Sequence, residues 1–332
     1  MKNKPKVSIC IPTYNAQNII LPTLKNILSQ SYPNLEIIIS DDCSTDRTIK
    51  TIRSLKSPLI KIHQNKSNVG YARNLNNFIT LASGDIIYLM GQDDFIINNG
   101  LQKTIDQFIK QPNLGAVTRP YYWYSDEINR PIRHIPPPSE TDKYINILKN
   151  PEMLVPIIES IGQLSGLAFQ KKYLASFNPH TFTAHVEPFL QIIKTHGVVF
   201  LSDYTIAVQI KTSQTRFVSK IYEISPTKTW MEMLSKVFKD RKYKQQLILS
   251  QNHMAQNYIG LIQLKNYSTY RILIKEIIFL LLYRPLNFLS CKFYLYSLLT
   301  LIVPSRLLIR LTDYFKEKIN SKTLPEITIN IN

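Results

Sequence analysis

Cysteine is scarce. Cys10, Cys43 and Cys291 are the only three in 332 residues, and their spacing fits neither a zinc ligand set nor a disulfide framework. That sets aside a disulfide-stapled scaffold and makes a reducing compartment the expected setting. Long apolar runs are missing too. A spanning helix needs about 20 predominantly apolar residues, whereas the longest stretch, 286–303, has eighteen and carries Asn287, Lys292 and several hydroxyls. No secretory signal is expected, because the apolar stretch after the basic residues 1–6 breaks at Pro12. A Gly-rich, basic phosphate loop is also absent after the first strand pattern, where the chain reads Pro12-Thr13-Tyr14-Asn15. A nucleotidyltransferase is therefore disfavoured. Acid is short overall: 23 Asp and Glu face 40 Lys and Arg, a net charge of +17. The imbalance lies mostly in residues 211–332, which hold 19 basic against 7 acidic side chains. Such a segment is expected to face something anionic.

The first two thirds alternate between strand and helix patterns. Residues 7–11 form a continuous apolar run, as a strand buried on both faces does. Apolar residues at 20, 24, 27 and 28 have helical spacing, and residues 35–40 read as a second strand. Ser44, Thr45 and Asp46 offer N-caps for a helix with Ile49, Ile52 and Leu55 on its apolar face. Further strands are expected at 59–63, 85–90 and 115–118, with helices at 75–82 and 101–109. Repeated βα units imply a mostly parallel sheet flanked by helices. From 121 to 151 the pattern weakens, and Pro131 with Pro136-Pro137-Pro138 marks an extended loop. A strand at 164–169, a helix at 187–194 and a strand at 198–201 follow.

Two acidic pairs stand at the ends of expected strands: Asp41-Asp42 after 35–40, and Asp93-Asp94 after 86–90. Open α/β sheets bind ligands at the carboxyl ends of their strands. Carboxylates gathered there repel one another unless a cation or donor groups offset the charge. The pattern suggests a metal-assisted nucleotide site. Helix capping is the alternative for Asp41 and Asp42.

The strings KVSICIPTYN, IIISDDCSTDRT, NVGYARNLN, ASGDIIYLM and QDDF occur in this order within residues 5–215. Together they resemble the nucleotide-sugar glycosyltransferases of family 2. The resemblance implies an α/β GT-A fold, Rossmann-like, over 1–215, with a C-terminal helical extension over 216–332. It implies a nucleotide site at Pro12, Thr13, Tyr14 and Asp93, with Asp42 on the base, Asp41 shaping the turn, and Arg73 reaching toward the phosphates. Asp93-Asp94 matches the family's metal motif, Asp94 as direct ligand and Asp93 as ligand or neighbour, with Mn²⁺ or Mg²⁺ as the ion. The motif's usual first acid falls here at Gly91 or Gln92, so one carboxylate is missing. Glu187 matches the acid that acts as base in inverting members, although Pro188 follows it where an Asp is common. His185 is the rival base, and a plain helix-start acid is the alternative for Glu187. An exposed helix-start arginine is the alternative for Arg73.

The implied donor is a nucleotide diphosphate sugar, a UDP-sugar by family frequency, and the acceptor a lipid-linked or growing surface glycan. A non-catalytic nucleotide-sugar-binding scaffold is the alternative. The C-terminal apolar stretches, 272–283 and 286–303, are flanked by Arg271, Lys275, Arg284, Arg306 and Arg310. They suit the surface of an anionic membrane, on its cytoplasmic face. Core packing and a true span are the alternatives. Nucleic acid is not an expected partner, since the aromatics lie inside apolar runs rather than along a base-stacking groove.

Overall fold

A computed structural model describes residues 4–180, 183–212, 223–315 and 324. The chain divides into two compact units, one ending at Lys211 and the other spanning Thr212–Leu324. The boundary expected at 215/216 lies outside the described residues.

The first unit is built on βα alternation. Strand β1 (Val7–Thr13), helix α1 (Ile20–Leu28), β2 (Leu35–Asp41), α2 (Thr48–Arg53), β3 (Ile60–Gln64), α3 (Tyr71–Leu81) and β4 (Ile86–Leu89) follow in order. The four strands are parallel, in the order β3-β2-β1-β4. Every residue of β2 is buried, as is every residue of β1 except Pro12, so helices cover both faces of this half of the sheet. Next come β5 (Phe95–Ile96), α4 (Gly100–Lys110), β6 (Ala116–Thr118), β7 (Tyr121–Tyr124), β8 (Pro131–Ile135) and β9 (Lys143–Ile145). Helix α5 (Leu154–Ile161), β10 (Ala168–Gln170), α6 (Val186–Thr195), β11 (Val198–Phe200) and β12 (Ile206–Gln209) complete the unit. Strands β10, β6, β11 and β9 extend the main sheet to eight, with β10 and β9 antiparallel to their neighbours.

Two expectations change here. Residues 121–151 are not one extended loop: β7 and β8 join β5 and β12 in a second, four-stranded sheet. The aromatic run of β7 buries Tyr121, Tyr122 and Tyr124, and Pro131 sits on an edge strand, where its missing N–H costs no ladder bond. Ser44, Thr45 and Asp46 do not simply cap α2. They clamp the turn after β1: Asn15 N donates to Ser44 Oγ (2.9 Å), Thr45 N to Asn15 Oδ1 (2.9 Å) and Gln17 N to Asp46 Oδ2 (3.1 Å). Asn15 and Cys43 hold left-handed backbones at these two strand ends, φ 46° and 63°.

The second unit holds α7 (Pro226–Val237), α8 (Lys244–Met254), α9 (Gly260–Tyr267), α10 (Tyr270–Tyr283), α11 (Cys291–Ile302) and α12 (Ser305–Tyr314) among its described residues. The eighteen-residue apolar stretch is not one helix. A 3-10 turn at Pro285–Leu289 breaks it, and Ser290 Oγ restarts the chain by accepting from Phe293 N (3.3 Å). Among the described residues no helix is long and apolar enough to cross a membrane.

Candidate active site

The carboxyl ends of β2, β1 and β4 lie side by side, Thr13 in register with Asp41 and Cys10 with Leu89. Both acidic pairs therefore reach one edge of the sheet. Asp41 accepts from Ser44 N (2.9 Å) and shapes the turn. Asp42 is buried and accepts from Asn65 Nδ2 (2.9 Å), Val69 N (2.8 Å) and Gly70 N (2.8 Å). It thus gathers the loop that leads into α3. Sequence reasoning missed the amides behind it. Asn74 Nδ2 donates to the Ser40 carbonyl (2.7 Å), and Asn77 Nδ2 donates to Ser40 Oγ (2.8 Å) and Asn65 Oδ1 (2.9 Å). Two amides three residues apart share a helix face, and that spacing was the available signal. Arg73, on the same helix, is exposed and makes no hydrogen bond or ion pair with any described residue. Pro12 and Tyr14 are half-buried, and Thr13 is buried.

Beyond β4 the chain binds back to the first strand. Gln92 Oε1 accepts from Tyr14 N (3.0 Å) while its Nε2 donates to the Tyr14 carbonyl (3.4 Å). An amide clamp therefore stands where a third acid was expected. Asp94 is 2% exposed. Its Oδ2 accepts from Gln163 Nε2 (2.9 Å) and from Ser165 Oγ, and its Oδ1 from Gln209 N (3.0 Å). Ser165 Oγ also accepts from Gly91 N (2.7 Å). A Cβ on Gly91 would lie 2.7 Å from Asp94 Oδ2 and 3.0 Å from Ser165 Oγ, so the other position for the missing acid is already filled by these groups. Burial first, and then the charge of Asp93, push the Asp94 carboxyl up to about 8 against the pull of its three donors. Asp93 is half-buried.

Glu187 lies in the first turn of α6, buried, and its Oε2 accepts from Asn178 Nδ2. His185 precedes it with both ring nitrogens engaged. Nδ1 faces the Tyr71 hydroxyl (3.1 Å) and Nε2 the Ile161 carbonyl (3.0 Å), so Nε2 carries the hydrogen and Nδ1 accepts. Burial pushes its imidazole down to about 4, leaving it neutral at pH 7. Tyr71 begins α3, so the loop gathered by Asp42 and the helix carrying Glu187 are joined through one hydrogen bond.

Whether these residues fit a divalent ion follows from the donor set. Among the described residues no group of three or more His, Cys, Asp or Glu side chains gathers as a metal cage. Magnesium-like ions usually take one or two carboxylates and complete their shell with water and substrate phosphate. Asp93 and Asp94 fit that pattern: two adjacent carboxyls, one half-buried and one buried.

The sequence model described as Glycosyl transferase family 2 matches residues 8–184. An uncharacterized glycosyltransferase of Haemophilus influenzae is 33% identical over 149 residues, 44% of this chain and 58% of that protein. The Escherichia coli UDP-Glc:alpha-D-GlcNAc-diphosphoundecaprenol beta-1,3-glucosyltransferase WfgD is 34% identical over 104 residues, 31% of this chain and 41% of its own. The match thus spans less than two thirds of either relative. Among solved structures, S. aureus TarS 1-349 superposes with a TM-score of 0.60 at 15% identity, covering 98% of this chain and 96% of that one. The Pyrobaculum calidifontis mannosyltransferase PcManGT, in complex with GDP-Man and Mn²⁺, gives 0.52 at 17%, covering 91% and 87%. At such identities the likeness shows the GT-A fold.

Proposed function

The chain belongs to glycosyl transferase family 2, and we propose that it moves a sugar, with inversion, from a nucleotide diphosphate sugar to a hydroxyl of a lipid-linked or growing surface glycan. The observation that carries this is the meeting of Asp41-Asp42 and Asp93-Asp94 at one sheet edge, with Gln92 clamping the backbone of Tyr14 between them. Pro12, Thr13, Tyr14 and Asp42 form the base end of the nucleotide site. Arg73, with no described partner, is available to the phosphates.

Asp93 and Asp94 would hold Mn²⁺ or Mg²⁺. Asp94 is the direct ligand in this reading, and the half-buried Asp93 beside it is a second ligand or its neighbour. A bound ion would neutralise the departing diphosphate. Glu187 is the base. It takes the proton of the acceptor hydroxyl as that oxygen bonds to the anomeric carbon, and the bond from that carbon to the diphosphate oxygen breaks. Asn178 donates to Glu187 Oε2 and so holds the carboxylate at the start of α6. His185 positions this turn from its bond to Tyr71. WfgD acts, by its name, on a diphosphoundecaprenol-linked sugar, and TarS has been solved with UDP-GlcNAc. These support a UDP-sugar donor and a lipid-linked acceptor. The basic C-terminal unit supports a peripheral site of work on the cytoplasmic face of an anionic membrane.

The absence of a third acid at Gly91 and Gln92 favours a second reading, a scaffold that binds nucleotide sugar without transfer. Calorimetric titration with UDP, dTDP, CDP and GDP, each with Mn²⁺ or with EDTA, tests both. Metal-dependent binding of one nucleotide, lost in Asp93→Ala, is expected. Transfer to lipid-linked acceptors, lost in Glu187→Gln with nucleotide binding retained, separates enzyme from scaffold. Binding of none of the four would overturn both readings.

A further inference from the structure

Helices of the second unit carry apolar side chains on their exposed faces as well as inside. Helix α10 buries Glu276 between Leu273 and Leu280 and exposes Ile274, Ile278 and Leu282. Helix α11 buries Ser297 and Thr300 and exposes Leu295, Leu298 and Ile302. In α12, Leu308 packs inward while Leu307 and Leu311 face out. All three helices pack on α9. Exposed apolar side chains on three helices that share one neighbour are what an interaction site presents.

The connection between α10 and α11 is the most apolar part of this surface. Connections are normally polar, yet Leu286, Phe288 and Leu289 are 62%, 67% and 78% exposed. Asn287 fixes them outward. It is fully buried, with Oδ1 accepting from Tyr258 OH (2.7 Å) and Arg284 Nη1 (2.6 Å) and Nδ2 donating to the carbonyls of Ala255 and Leu280 (both 2.8 Å). The one polar side chain of the tip points in and is saturated, so its apolar neighbours are held against solvent by design of the hydrogen bonds. Arg284 and Lys292 flank the tip on either side and, with Leu286 and Leu289, line a cleft of about 460 Å³. At the other end Tyr270 OH donates to the Leu301 carbonyl (2.6 Å), closing the start of α10 against the end of α11.

We propose that this connection is a membrane-insertion tip: Leu286, Phe288 and Leu289 enter the acyl layer of an anionic bilayer, while Arg284 and Lys292 stay at the lipid phosphates. The proposal rests on the reading that the protein works at a membrane surface, and adds which element enters and that apolar burial holds it there. Interfacial elements bury apolar side chains about 5–10 Å deep, with basic residues at headgroup level. Charge chooses this occupant over a second copy of the chain, because a copy would set one basic rim against another across residues that carry 19 basic and 7 acidic side chains.

The test is flotation of the full chain with vesicles of phosphatidylcholine alone or with about a quarter phosphatidylglycerol, at low and high salt. The wild type is expected to bind the anionic vesicles and to keep part of that binding at high salt. A triple variant, Leu286→Ser, Phe288→Ser and Leu289→Ser, is expected to lose at least tenfold at both salts while melting as the wild type does. Lys292→Glu is expected to weaken binding to anionic vesicles only. No vesicle binding by the wild type, or unchanged binding by the triple variant, overturns the proposal. So does a dimer that the triple variant dissolves without any vesicle binding. Nucleotide titration of the same samples separates the two readings. Nucleotide binding without vesicle binding removes the tip alone, and vesicle binding without nucleotide binding removes the transferase reading alone.

Discussion

Gly91→Ala tests the architecture of the acidic site with one methyl group. The added Cβ would lie 2.7 Å from Asp94 Oδ2, where ordinary contact begins at 3.4 Å. Asp94 Oδ2 must therefore retreat by about 0.7 Å, a shift large enough to stretch its bonds to Gln163 and Ser165. Hydrogen bonds to a neutral carboxyl contribute about 0.5–1.5 kcal/mol each, and overpacking a filled site costs about 1–3 kcal/mol. Partial loss of one bond with some strain gives a destabilisation of about 2–4 kcal/mol. For a unit of this size that lowers Tm by roughly 5–15 °C. Thermal melts and Mn²⁺-dependent UDP titration read the effect, and Gly91→Asp is expected to weaken metal binding rather than restore a third acid. Ser165→Ala loosens the same carboxylate. The two changes should then be less than additive, with a coupling of about 1 kcal/mol or more. A Gly91→Ala protein that melts within about 1 °C of wild type, or strict additivity in the cycle, would refute the packing described at this site.

Two further predictions concern neighbouring groups. The Asp94 carboxyl, pushed by burial and then by Asp93 from 3.8 to about 8, keeps a proton in the folded chain that the unfolded chain has released throughout that window. The metal-free protein should therefore lose stability as pH rises through it, by at most about 1.4 kcal/mol per unit. Melts at about pH 5.5 and about pH 7.5 check this. Asp94→Asn should flatten the difference while abolishing transfer, and an equal pH slope in wild type and variant contradicts the assignment. Gln92→Leu leaves Tyr14 N and the Tyr14 carbonyl without their partner, at a cost of about 1 kcal/mol. Nucleotide affinity should fall several-fold with the rate at saturation nearly unchanged, and unchanged affinity would show that the clamp does not shape the base end.

What the sequence reveals depends on how local each cause is. The apolar runs 7–11, 35–40 and 86–90 stop at Pro12, Asp41-Asp42 and Gly91, so period and punctuation place β1, β2 and β4. The second sheet escapes because its strands have two to five residues, one of them opens on Pro131, and their partners are distant. The site divides the same way. Both acidic pairs are visible as local strings. Gln163, Ser165 and Gln209 lie 69, 71 and 115 residues from Asp94, and nothing in their own neighbourhoods announces a carboxylate. The apolar C-terminal stretches were legible as hydrophobic, but not as a broken pair of helices, because Asn287 and Ser290 act through bonds to Tyr258, Ala255 and Phe293.

The missing third acid bears on whether the site is eroded or built. Erosion would leave a gap at Gly91 and idle side chains around it. Instead the space at Gly91 is filled by Ser165 and Asp94, Gln92 spends both ends of its amide on Tyr14, and both oxygens of Asp94 have donors. Keeping Asp94 as an acid beside Asp93 in a buried setting still carries a stability cost, the one expressed in its raised titration. An asparagine at 94 could take part in much of the same hydrogen bonding without that cost. An eroded site has no use for the penalty, whereas a site that must hold a cation against a diphosphate does. The arrangement therefore favours a working two-carboxylate site: Asp94→Asn is expected to stabilise the metal-free fold and to remove metal-dependent nucleotide binding, and retention of that binding in the variant would overturn the role given to Asp94.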